Sequence, residues 1–340
     1  MSIRVLAPGW LTSVQDAGRS GHASLGIGVA GAMDPAALRL ANALVGNVPD
    51  AAGLEMTLRG PRLRFDGGAL IAVTGADIEA RCGMQPIPLW RPVWIGGGEI
   101  DFGAVRRGAR VYLAVAGGVD VAPVLGSRST DVNGALGPFG GRGVVAGDDL
   151  PVGTGAVDRR ERIVAAIRRK PDPDCSGGHD VATLRWSLDP RTWLDTDPAH
   201  PLALLRGAHF DRLDRASRAA LFAAEFRIGN ESNRVGCRLE KNRLQLAQPL
   251  ELVSEGVVPG TVQLPPNGDP IALMAEAPTT GGYPRIGHVA AVDRPHLAQR
   301  RPGDRVRFTE TTLEQAQSRL LARERTIAAL VQNIHDRLSA

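Results

Sequence analysis

Short apolar runs separated by glycine- and proline-rich turns recur along this chain and limit the folds open to it. Clear examples lie within residues 62–80, 88–103, 109–121 and 269–278, where valine, isoleucine and aromatic residues are frequent. Runs of this length, bounded by turn signals, are typical of β-strands. Because 41 glycines and 24 prolines punctuate most of the 340 residues, the sequence predicts a mainly-β protein.

Two helices are clearly marked within this β-rich pattern. In MDPAALRLANALVGN, Asp34 is the predicted N-cap, Pro35 the first helical residue and Gly46 the stop signal. The segment DRASRAALFAAEF predicts a second helix, which Asp214 caps. Helices are therefore few and short in the body of the chain.

The final segment, residues 311–340, predicts a longer amphipathic helix. Thr311 and Glu314 have the spacing of a capping box, in which both side chains bond backbone N–H groups of the first turn. Four apolar residues then recur at intervals of seven: Leu313, Leu320, Ile327 and Ile334. Such a seam could pair two copies into a homo-oligomer. We expect it instead to cover a face of its own domain or of a partner protein.

A polar segment divides the chain and predicts a linker that contains a short helix. The predicted parts are an N-terminal β domain (residues 1–155), the linker (156–200), a C-terminal β domain (201–310) and the C-terminal helix (311–340). VVAGDDLPV (144–152) and RRPGDRVRF (300–308) both place Gly-Asp before a short strand. This repetition suggests that the two domains close in the same way.

The charge balance argues against a nucleic-acid partner. The 40 basic and 36 acidic residues give a formal charge of +4 and form no basic stripe. The cysteines Cys82, Cys175 and Cys237 are far apart and form no CxxC pair, which fits a reduced protein. There is no secretory signal and no apolar run of the length of a membrane span. We therefore expect a cytoplasmic location and no membrane association.

The common catalytic motifs are missing. GIGVAG at residues 26–31 matches a dinucleotide-binding pattern, but no buried strand precedes it, so a Rossmann site is rejected. A Walker A sequence, a GxSxG elbow and histidines at metal-ligand spacing are also missing from the sequence. Because no Ala/Val-Met-Lys-Met stretch is present, we expect no covalent biotin on this chain, and we predict no metal site from histidine or cysteine spacing.

Four polar, glycine-rich clusters remain, and each taken alone has the composition of an ordinary turn. They lie at residues 12–21, 126–131, 254–268 and 277–289. Their candidate ligand-contacting side chains and glycines are Ser13, Gln15, Asp16 and Arg19; Ser127, Arg128, Ser129 and Thr130; Glu255 and Gln263; and Thr279, Thr280, Gly281, Gly282 and Tyr283.

Together the clusters predict a site for a polar ligand. Hydroxyl and backbone N–H groups suit an anion, a carboxylate or a phosphate. Arg19 or Arg128 could add paired contacts to such a group. Asp16 and Glu255 are the candidate acids or bases, if burial tunes them. The residues alone do not choose among these ligands.

The ordered motifs resemble the allophanate hydrolase subunit 2 family. They include TSVQDAGRSG, GAMDPAALRLANALVGN, LEMTLRGPRLRF, GSRSTD, SNRVGCRLE, SEGVVPGTVQLPPNGDPIALMAEAPTTGGYPRIG and LAQRRPGDRVRF, in that order between about residues 3 and 310. The family includes the C-type subunit of the 5-oxoprolinase complex, the carboxyltransferase part of urea carboxylase, and one member of a sporulation-kinase regulatory pair.

The resemblance implies a fold of two cyclophilin-like β-barrel domains and a heteromeric complex with A-type and B-type subunits. It implies a hydrolase reaction in which 5-oxo-L-proline, a small amide, is opened to L-glutamate with ATP, expected to act with Mg. Phosphorylating the lactam oxygen would make its carbon electrophilic, and this demands donors around a phosphate and an anchor for the substrate carboxylate. Under the resemblance, Arg19 or Arg128 is the expected anchor, while Asp16 or Glu255 would position the metal or a water.

Two stretches depart from the family pattern and leave room for another small amide. SNRVGCRLE has Asn233 where an aspartate is common and Cys237 where an aromatic residue is common. Glu276-Ala277-Pro278 replaces the more usual Asp-Arg-Gln. Beside this stretch, Thr279 to Tyr283 are expected to line the ligand cleft of the second barrel.

Two other functions remain open at this point. The chain could be the carboxyltransferase component of a urea carboxylase-like system that receives carboxybiotin from another protein. It could also be a non-catalytic regulator that binds a B-type partner. The first would need a biotin carrier and a biotin carboxylase, which this chain does not contain.

Overall fold

The structure is a computed structural model that describes residues 1–155, 157–175, 181–193, 197 and 200–339. The chain divides into two compact units. Unit 1 contains residues 1–18, 34–194 and 326–340, and unit 2 contains residues 19–33 and 195–325. The predicted N-terminal domain was continuous, whereas residues 19–33 here belong to unit 2.

Unit 1 is built on one large sheet. Its strands are β1 (Ser2–Ala7), β2 (Leu11–Gln15), β3 (Gly53–Thr57), β4 (Arg62–Phe65), β5 (Ala69–Cys82), β6 (Gln85–Pro86), β7 (Val93–Ile95), β8 (Gly98–Val115), β9 (Asp149–Pro151) and β10 (Val181–Thr183). The main order is β10-β7-β5-β8-β4-β1-β9; β2 pairs with β3, β3 also with β8, and β6 with β5. The long β5–β8 ladder shifts register on both sides of Asp77, and such bulges bend a sheet.

Unit 2 contains a second sheet and a short ribbon. Its strands are β11 (Leu202–Arg206), β12 (Phe226–Ile228), β13 (Gly236–Glu240), β14 (Glu255–Gly256), β15 (Thr261–Gln263), β16 (Ile271–Leu273), β17 (Thr280–Gly281), β18 (Arg285–Val289), β19 (Arg305–Val306) and β20 (Phe308–Glu310). The sheet order is β19-β12-β13-β16-β15-β18-β11-β20, and the ribbon is β14-β17. Most neighbours in the sheet are antiparallel, but β11 and β20 are parallel.

The unit 1 sheet is buried on both faces along residues 69–76 of β5 and 108–115 of β8, which explains their unbroken apolar runs, whereas β4 is buried on one face. On β5, Ile71 and Val73 belong to the interior core, while Leu70 and Ala72 belong to a second cluster on the other face. Residues of the helical segments fill this second cluster. The helices of the chain are α1 (Pro35–Leu44), α2 (Pro138–Gly141), α3 (Val157–Arg169), α4 (Arg215–Ala223), α5 (Arg294–Ala298) and α6 (Leu313–Ser339).

The predicted helix caps are confirmed at α1 and α4. Asp34 Oδ1 accepts the Ala37 N–H at 3.1 Å, and Pro35 is the first helical residue. Asp214 Oδ1 accepts the Ser217 N–H at 2.6 Å. Gly46, the predicted stop, has a φ of +76° just beyond the end of α1. Gly46 also lies against Arg159, and a Cβ at residue 46 would be 2.7 Å from the Arg159 Cδ.

The capping box of α6 is shifted by one residue from the predicted pair. The Gln315 N–H donates to Thr312 Oγ1, and the Thr312 N–H donates to Gln315 Oε1, both at 3.3 Å. The predicted pair, Thr311 and Glu314, has the same type of spacing but does not form the box. The sequence TTLEQ offers both frames, and the helix starts at Leu313, which selects the second.

The apolar seam of α6 covers part of its own chain over its later turns. Ile327, Ile334 and Leu338 are buried in the second cluster of unit 1. Leu313, at the start of the seam, is 56% exposed. This agrees with the expectation that the tail covers a domain face.

Most of the described part of the predicted linker, residues 157–175 and 181–193, belongs to the packed structure of unit 1, whereas Asp197 and His200 belong to unit 2. Ile163, Val164 and Ile167 of α3 are buried. Farther along, Val181 and Thr183 of β10 pair with β7. Apolar residues at helical spacing inside a polar segment account for this packing. Residues 156, 176–180, 194–196 and 198–199 of the predicted linker lie outside the described residues.

The repeated Gly-Asp stretches form the same turn in both units. In unit 1, Asp148 Oδ2 accepts the Val145 N–H at 2.8 Å, and the Gly147 N–H donates to a carbonyl of β1. In unit 2, Asp304 Oδ2 accepts the Arg301 N–H at 2.8 Å, and the Gly303 N–H donates to a carbonyl of β12. Strands β9 and β19 follow these turns and pair with β1 and β12. The repetition in sequence is therefore a repetition in structure.

The predicted fold class is confirmed: the chain is mainly β, with barrel-like sheets, a few short helices and a C-terminal helix. Within the described residues, no helix combines the length and the apolar character needed to cross a membrane.

Candidate functional site

The four polar clusters form two pairs, one in each unit. Residues 12–18 and 126–131 come together in unit 1 and are called the unit 1 pair. Residues 254–263 and 277–285 come together in unit 2 and are called the unit 2 pair. Hydrogen bonds of Asp16 join the first pair, and the β14–β17 ribbon joins the second.

Asp16 holds the unit 1 pair together through four hydrogen bonds to its carboxylate. Oδ1 accepts the Ser127 and Ser129 hydroxyls, both at 2.6 Å, and the Gly18 N–H at 2.8 Å. Oδ2 accepts the Arg128 N–H at 2.5 Å. A buried carboxylate with these partners is satisfied, and it fixes loop geometry. The geometry therefore favours a structural role for Asp16, and its predicted catalytic role stays a prediction.

Gln15, on β2, links the same two segments beneath Asp16. Its Nε2 donates to Ser13 Oγ and to the Thr130 carbonyl, both at 2.9 Å. Among the described residues, Gln15 Oε1 and Thr130 Oγ1 are buried and have no hydrogen-bond partner. Buried polar atoms in this state are uncommon and call for an explanation, such as a water or a ligand. One acceptor and one hydroxyl thus remain unused on two residues that a hydrogen bond joins.

A row of buried polar side chains crosses the sheet next to Ser13. Ser13, Glu55, Tyr112 and Thr74 are cross-strand neighbours on β2, β3, β8 and β5, and each is at most 1% exposed. The Tyr112 hydroxyl donates to Glu55 Oε2 at 2.8 Å. Burial and the charges of Glu55 and Asp34 raise the pKa of Tyr112 well above its ordinary value. Tyr112 therefore stays a neutral hydrogen-bond donor at physiological pH.

Sequence reasoning did not identify Glu55 or Tyr112. In GLEMT, Glu55 lies between apolar residues, and this alternation normally places the polar residue in solvent. Here the face that Glu55 occupies is covered, and the Tyr112 hydroxyl also accepts the Asp34 N–H at 2.7 Å. The sequence marked Asp34 as a helix start. It gave no indication that the backbone of Asp34 contacts Tyr112 on strand β8.

The two predicted anchor arginines have different environments. The Arg128 guanidinium donates to the Val121 carbonyl and to Asp120 Oδ1, at 2.8 and 2.9 Å. Arg19 belongs to unit 2, where its side chain is 2% exposed and its N–H donates to the Val29 carbonyl. The predicted cluster at residues 12–21 is therefore split between the units after Gly18.

The unit 2 pair brings Glu255 and Gln263 together with Gly281. Glu255 and Gly281 are register partners in the β14–β17 ribbon. A Cβ at residue 281 would lie 2.4 Å from Gln263 Nε2, so a larger residue there would force the Gln263 amide to move. Gln263 is buried, and its Nε2 has no hydrogen-bond partner among the described residues.

Glu255 forms an ion pair with Arg285, and its side chain is 46% exposed. The Arg285 N–H donates to His209 Nδ1 at 3.0 Å. Burial, followed by the charge of Arg285, lowers the pKa of His209 below its ordinary value. The neutral ring fits this contact, because only an unprotonated Nδ1 can accept a hydrogen bond.

The remaining predicted residues of this pair lie toward the surface. Thr280, Gly282 and Tyr283 are exposed, and Thr279 is half-buried. Val253, just before the ribbon, is 87% exposed. The predicted lining of a cleft by residues 279–283 stays a prediction.

The unusual Glu276 is part of a buried ion pair that sequence reasoning did not identify. Arg234 Nε donates to Glu276 Oε1 at 2.5 Å, and both side chains are nearly inaccessible. Arg234 also donates to the Gly31 carbonyl at 2.6 Å, and the Glu276 N–H donates to the Arg234 carbonyl. The departure from the family pattern at residue 276 therefore retains a charge that Arg234 matches inside unit 2.

The described residues contain no ready-made cluster of side chains that would hold a metal ion by itself. No group of three or more histidine, cysteine, aspartate or glutamate side chains within them could hold a metal. Asp16 already accepts four hydrogen bonds, and Glu255 is paired with Arg285. No step of chemistry is therefore assigned to a metal on this chain.

Known proteins share this architecture over nearly the whole chain. A family model described as carboxyltransferase domain, subdomain A and B, matches residues 25–310. The C-type subunit of the Escherichia coli 5-oxoprolinase is 36% identical over 335 residues, which cover 98% of this chain and 99% of that protein. A putative urea carboxylase of Emericella nidulans is 30% identical over 349 residues, covering 97% of this chain but 26% of that protein.

A solved structure gives the same result at the level of the fold. The urea carboxylase of Kluyveromyces lactis superposes with a TM-score of 0.81 and 27% identity, over 98% of this chain and 29% of that one. The family match and the full-length identity agree with the fold described above. The chain therefore belongs to the carboxyltransferase-domain family that includes the C-type subunit of 5-oxoprolinase.

Proposed function

We propose that this chain is the C-type subunit of a heteromeric, ATP-dependent 5-oxoprolinase that opens 5-oxo-L-proline to L-glutamate with A-type and B-type partners. The proposal rests on a sequence match that covers nearly the whole length of both proteins. The match to the Escherichia coli 5-oxoprolinase component spans 98% of this chain and 99% of that protein. The match to urea carboxylase spans only 26% of the larger protein. The 5-oxoprolinase component is thus matched along almost its whole length, and we expect this chain to act in the cytoplasm.

The unit 1 pair supports a role in holding the substrate amide. A lactam offers one N–H donor and one carbonyl acceptor. Gln15 Oε1 is an unused acceptor and the Thr130 hydroxyl an unused donor, and their residues are joined by a 2.9 Å hydrogen bond. Leaving such groups unpaired would cost free energy, so a ligand that satisfies both would be favoured. Both residues are fully buried in the chain alone, and we infer that the two side chains contact the amide when the loops around them admit it.

ATP enters this proposal as a co-substrate of the complex. The donors around Asp16 are consumed by the loop itself, and the described residues offer no metal cluster. We therefore propose that this chain contributes amide recognition and that the nucleotide and its Mg²⁺ are held mainly by the A-type and B-type partners. Arg128 is the candidate of this chain for a carboxylate contact, because its ion pair with Asp120 is at the surface.

The test is reconstitution. The chain is mixed with its A-type and B-type partners, 5-oxo-L-proline and ATP, and glutamate is followed. Glutamate formation that depends on this chain is the expected result. Thr130→Val and Gln15→Leu should then each raise KM strongly, whereas Arg64→Gln, which removes a surface ion pair with Glu99, should not. Glutamate formation that is equal with and without this chain would contradict the proposal.

A second function, carboxyl transfer from carboxybiotin to urea or a related amide, is favoured by one observation. The family description is that of a carboxyltransferase domain, and two of the similar proteins are named urea carboxylases. The discriminating experiment supplies free carboxybiotin and urea and measures loss of the carboxyl group. Transfer without any ATP-dependent glutamate formation would favour this function over the first.

A further inference from the structure

A cavity of about 330 Å³ in unit 1 lies away from the unit 1 pair and has its own set of side chains. Asp77 and Arg107 line it on one side, at the bulge of the β5–β8 ladder. Leu89, Trp90 and Leu188 supply an apolar wall. A volume of this order suits a small molecule, and bulges often lie beside binding sites.

Asp77 and Arg107 carry opposite charges yet are not paired with each other. They are register partners across the two strands, where Cα atoms are typically about 5 Å apart. Within the described residues, neither side chain takes part in a hydrogen bond or ion pair. Their neighbour Glu79 behaves differently, because it pairs with both Arg81 and Arg106. The carboxylate and the guanidinium of the cavity thus remain available to a ligand that carries both charges.

The apolar wall is held in place by an unusual backbone conformation. Trp90 has a φ of +60°, which is an outlier for a bulky residue. Two hydrogen bonds fix it: the Trp90 N–H donates to the Val73 carbonyl at 2.8 Å, and the Leu188 N–H donates to the Trp90 carbonyl at 2.9 Å. Strain of this kind persists only where the surroundings enforce it, and it is concentrated at functional sites. Here it places the indole against the cavity that Asp77 and Arg107 share.

We propose that this cavity binds an α-amino acid with an apolar side chain. Asp77 receives the ammonium group, Arg107 receives the carboxylate, and the hydrocarbon chain packs against Leu89, Trp90 and Leu188. Opposite charges on neighbouring positions recognise a zwitterion and reject a molecule that carries only one of the charges. The site is independent of the proposed lactam chemistry, because it shares no residue with the unit 1 pair.

The experiment is a calorimetric titration of the full-length chain alone, without its A-type and B-type partners. L-Leucine is the probe, with isovalerate and isoamylamine as the molecules that carry one charge each. We expect leucine to bind at least roughly tenfold more tightly than either single-charge molecule, as loss of one charged hydrogen bond implies. Equal binding of the three, or no leucine binding up to tens of millimolar, would overturn the proposal.

Matched variants locate the binding. Asp77→Asn and Arg107→Gln should each weaken leucine binding by roughly tenfold or more. Arg106→Gln is the control, since Arg106 neighbours Arg107 in sequence but pairs with Glu79. An equal loss in Arg106→Gln and Arg107→Gln would place the binding elsewhere and overturn the proposal. Thermal unfolding of each variant establishes that it is folded before titration. Failure of this test leaves the glutamate assay untouched, because that assay depends on the unit 1 pair.

Discussion

The unit 1 pair and the unit 2 pair are assembled from similar residues but are held in opposite ways. In unit 1, the buried Asp16 carboxylate accepts three hydrogen bonds from the facing segment and one from Gly18 in its own segment. In unit 2, a two-residue ribbon and an exposed ion pair between Glu255 and Arg285 join the segments. Buried, charge-assisted hydrogen bonds stabilise far more than exposed ion pairs. The first pair is therefore firmly preformed, and the second is the more easily displaced.

Breaking the buried Arg234–Glu276 ion pair of unit 2 should have the largest effect on stability. Arg234→Met leaves Glu276 buried without its guanidinium partner, and unfolding should become easier by about 3–5 kcal/mol. Adding Glu276→Leu should recover much of that loss, because the uncompensated charge is removed. Urea denaturation measures both variants. A double variant as unstable as Arg234→Met would show that the pair itself is not the cause.

Asp16→Ala should be the next most damaging change. It removes the acceptor for two hydroxyls and two backbone N–H groups, and we expect a loss of about 2–4 kcal/mol. Asp120→Ala is the control, since Asp120 pairs with Arg128 at the surface. The denaturation midpoints of the two variants measure these losses of stability. Equal losses would contradict the claim that the buried Asp16 carboxylate stabilises the chain more than the exposed Asp120 carboxylate.

Glu255→Ala should cost much less than Asp16→Ala. Its carboxylate is 46% exposed and its ion pair is screened by solvent, so we expect a change below about 1 kcal/mol. The same denaturation series measures it. A loss as large as that of Asp16→Ala would mean that the two pairs are held equally firmly.

Acidification should loosen the unit 2 pair, and this is the smallest of the expected effects on stability. The pKa of His209 is lowered in the folded chain, so the unfolded chain binds the proton first. The stability that neutral His209 contributes is therefore present above the ordinary histidine pKa of about 6.5 and is lost as pH falls through the lowered value. The stability difference between wild type and His209→Asn, measured from pH 7.5 to 5, should narrow. A constant difference would contradict this assignment.

Local signals in the sequence predicted local structure well. Asp34, Pro35 and Asp214 act at helix starts as expected, because capping depends on residues within one turn. The capping box of α6 was misplaced because TTLEQ holds two frames of equal quality. Which frame forms the capping box depends on where β20 ends and α6 begins. That boundary is not encoded in the five residues of the motif.

The pairing of the clusters could not be predicted from composition. The partners of Asp16 in the facing segment are 111 to 113 residues away, and a turn-like cluster carries no mark of its distant neighbour. Glu55 was missed for a related reason. Alternation along β3 predicts one apolar and one polar face, but it does not reveal that a second layer covers the polar face.

Hydrogen–deuterium exchange of the intact chain tests the contrast between the two pairs most directly. Peptides covering residues 126–131 report the Arg128 N–H that Asp16 accepts, and peptides covering residues 253–257 report the β14 side of the ribbon. We predict that amides in the first segment exchange at least roughly tenfold more slowly, after correction for intrinsic rates. Equal protection of the two segments, or faster exchange at residues 126–131, would contradict a preformed unit 1 pair.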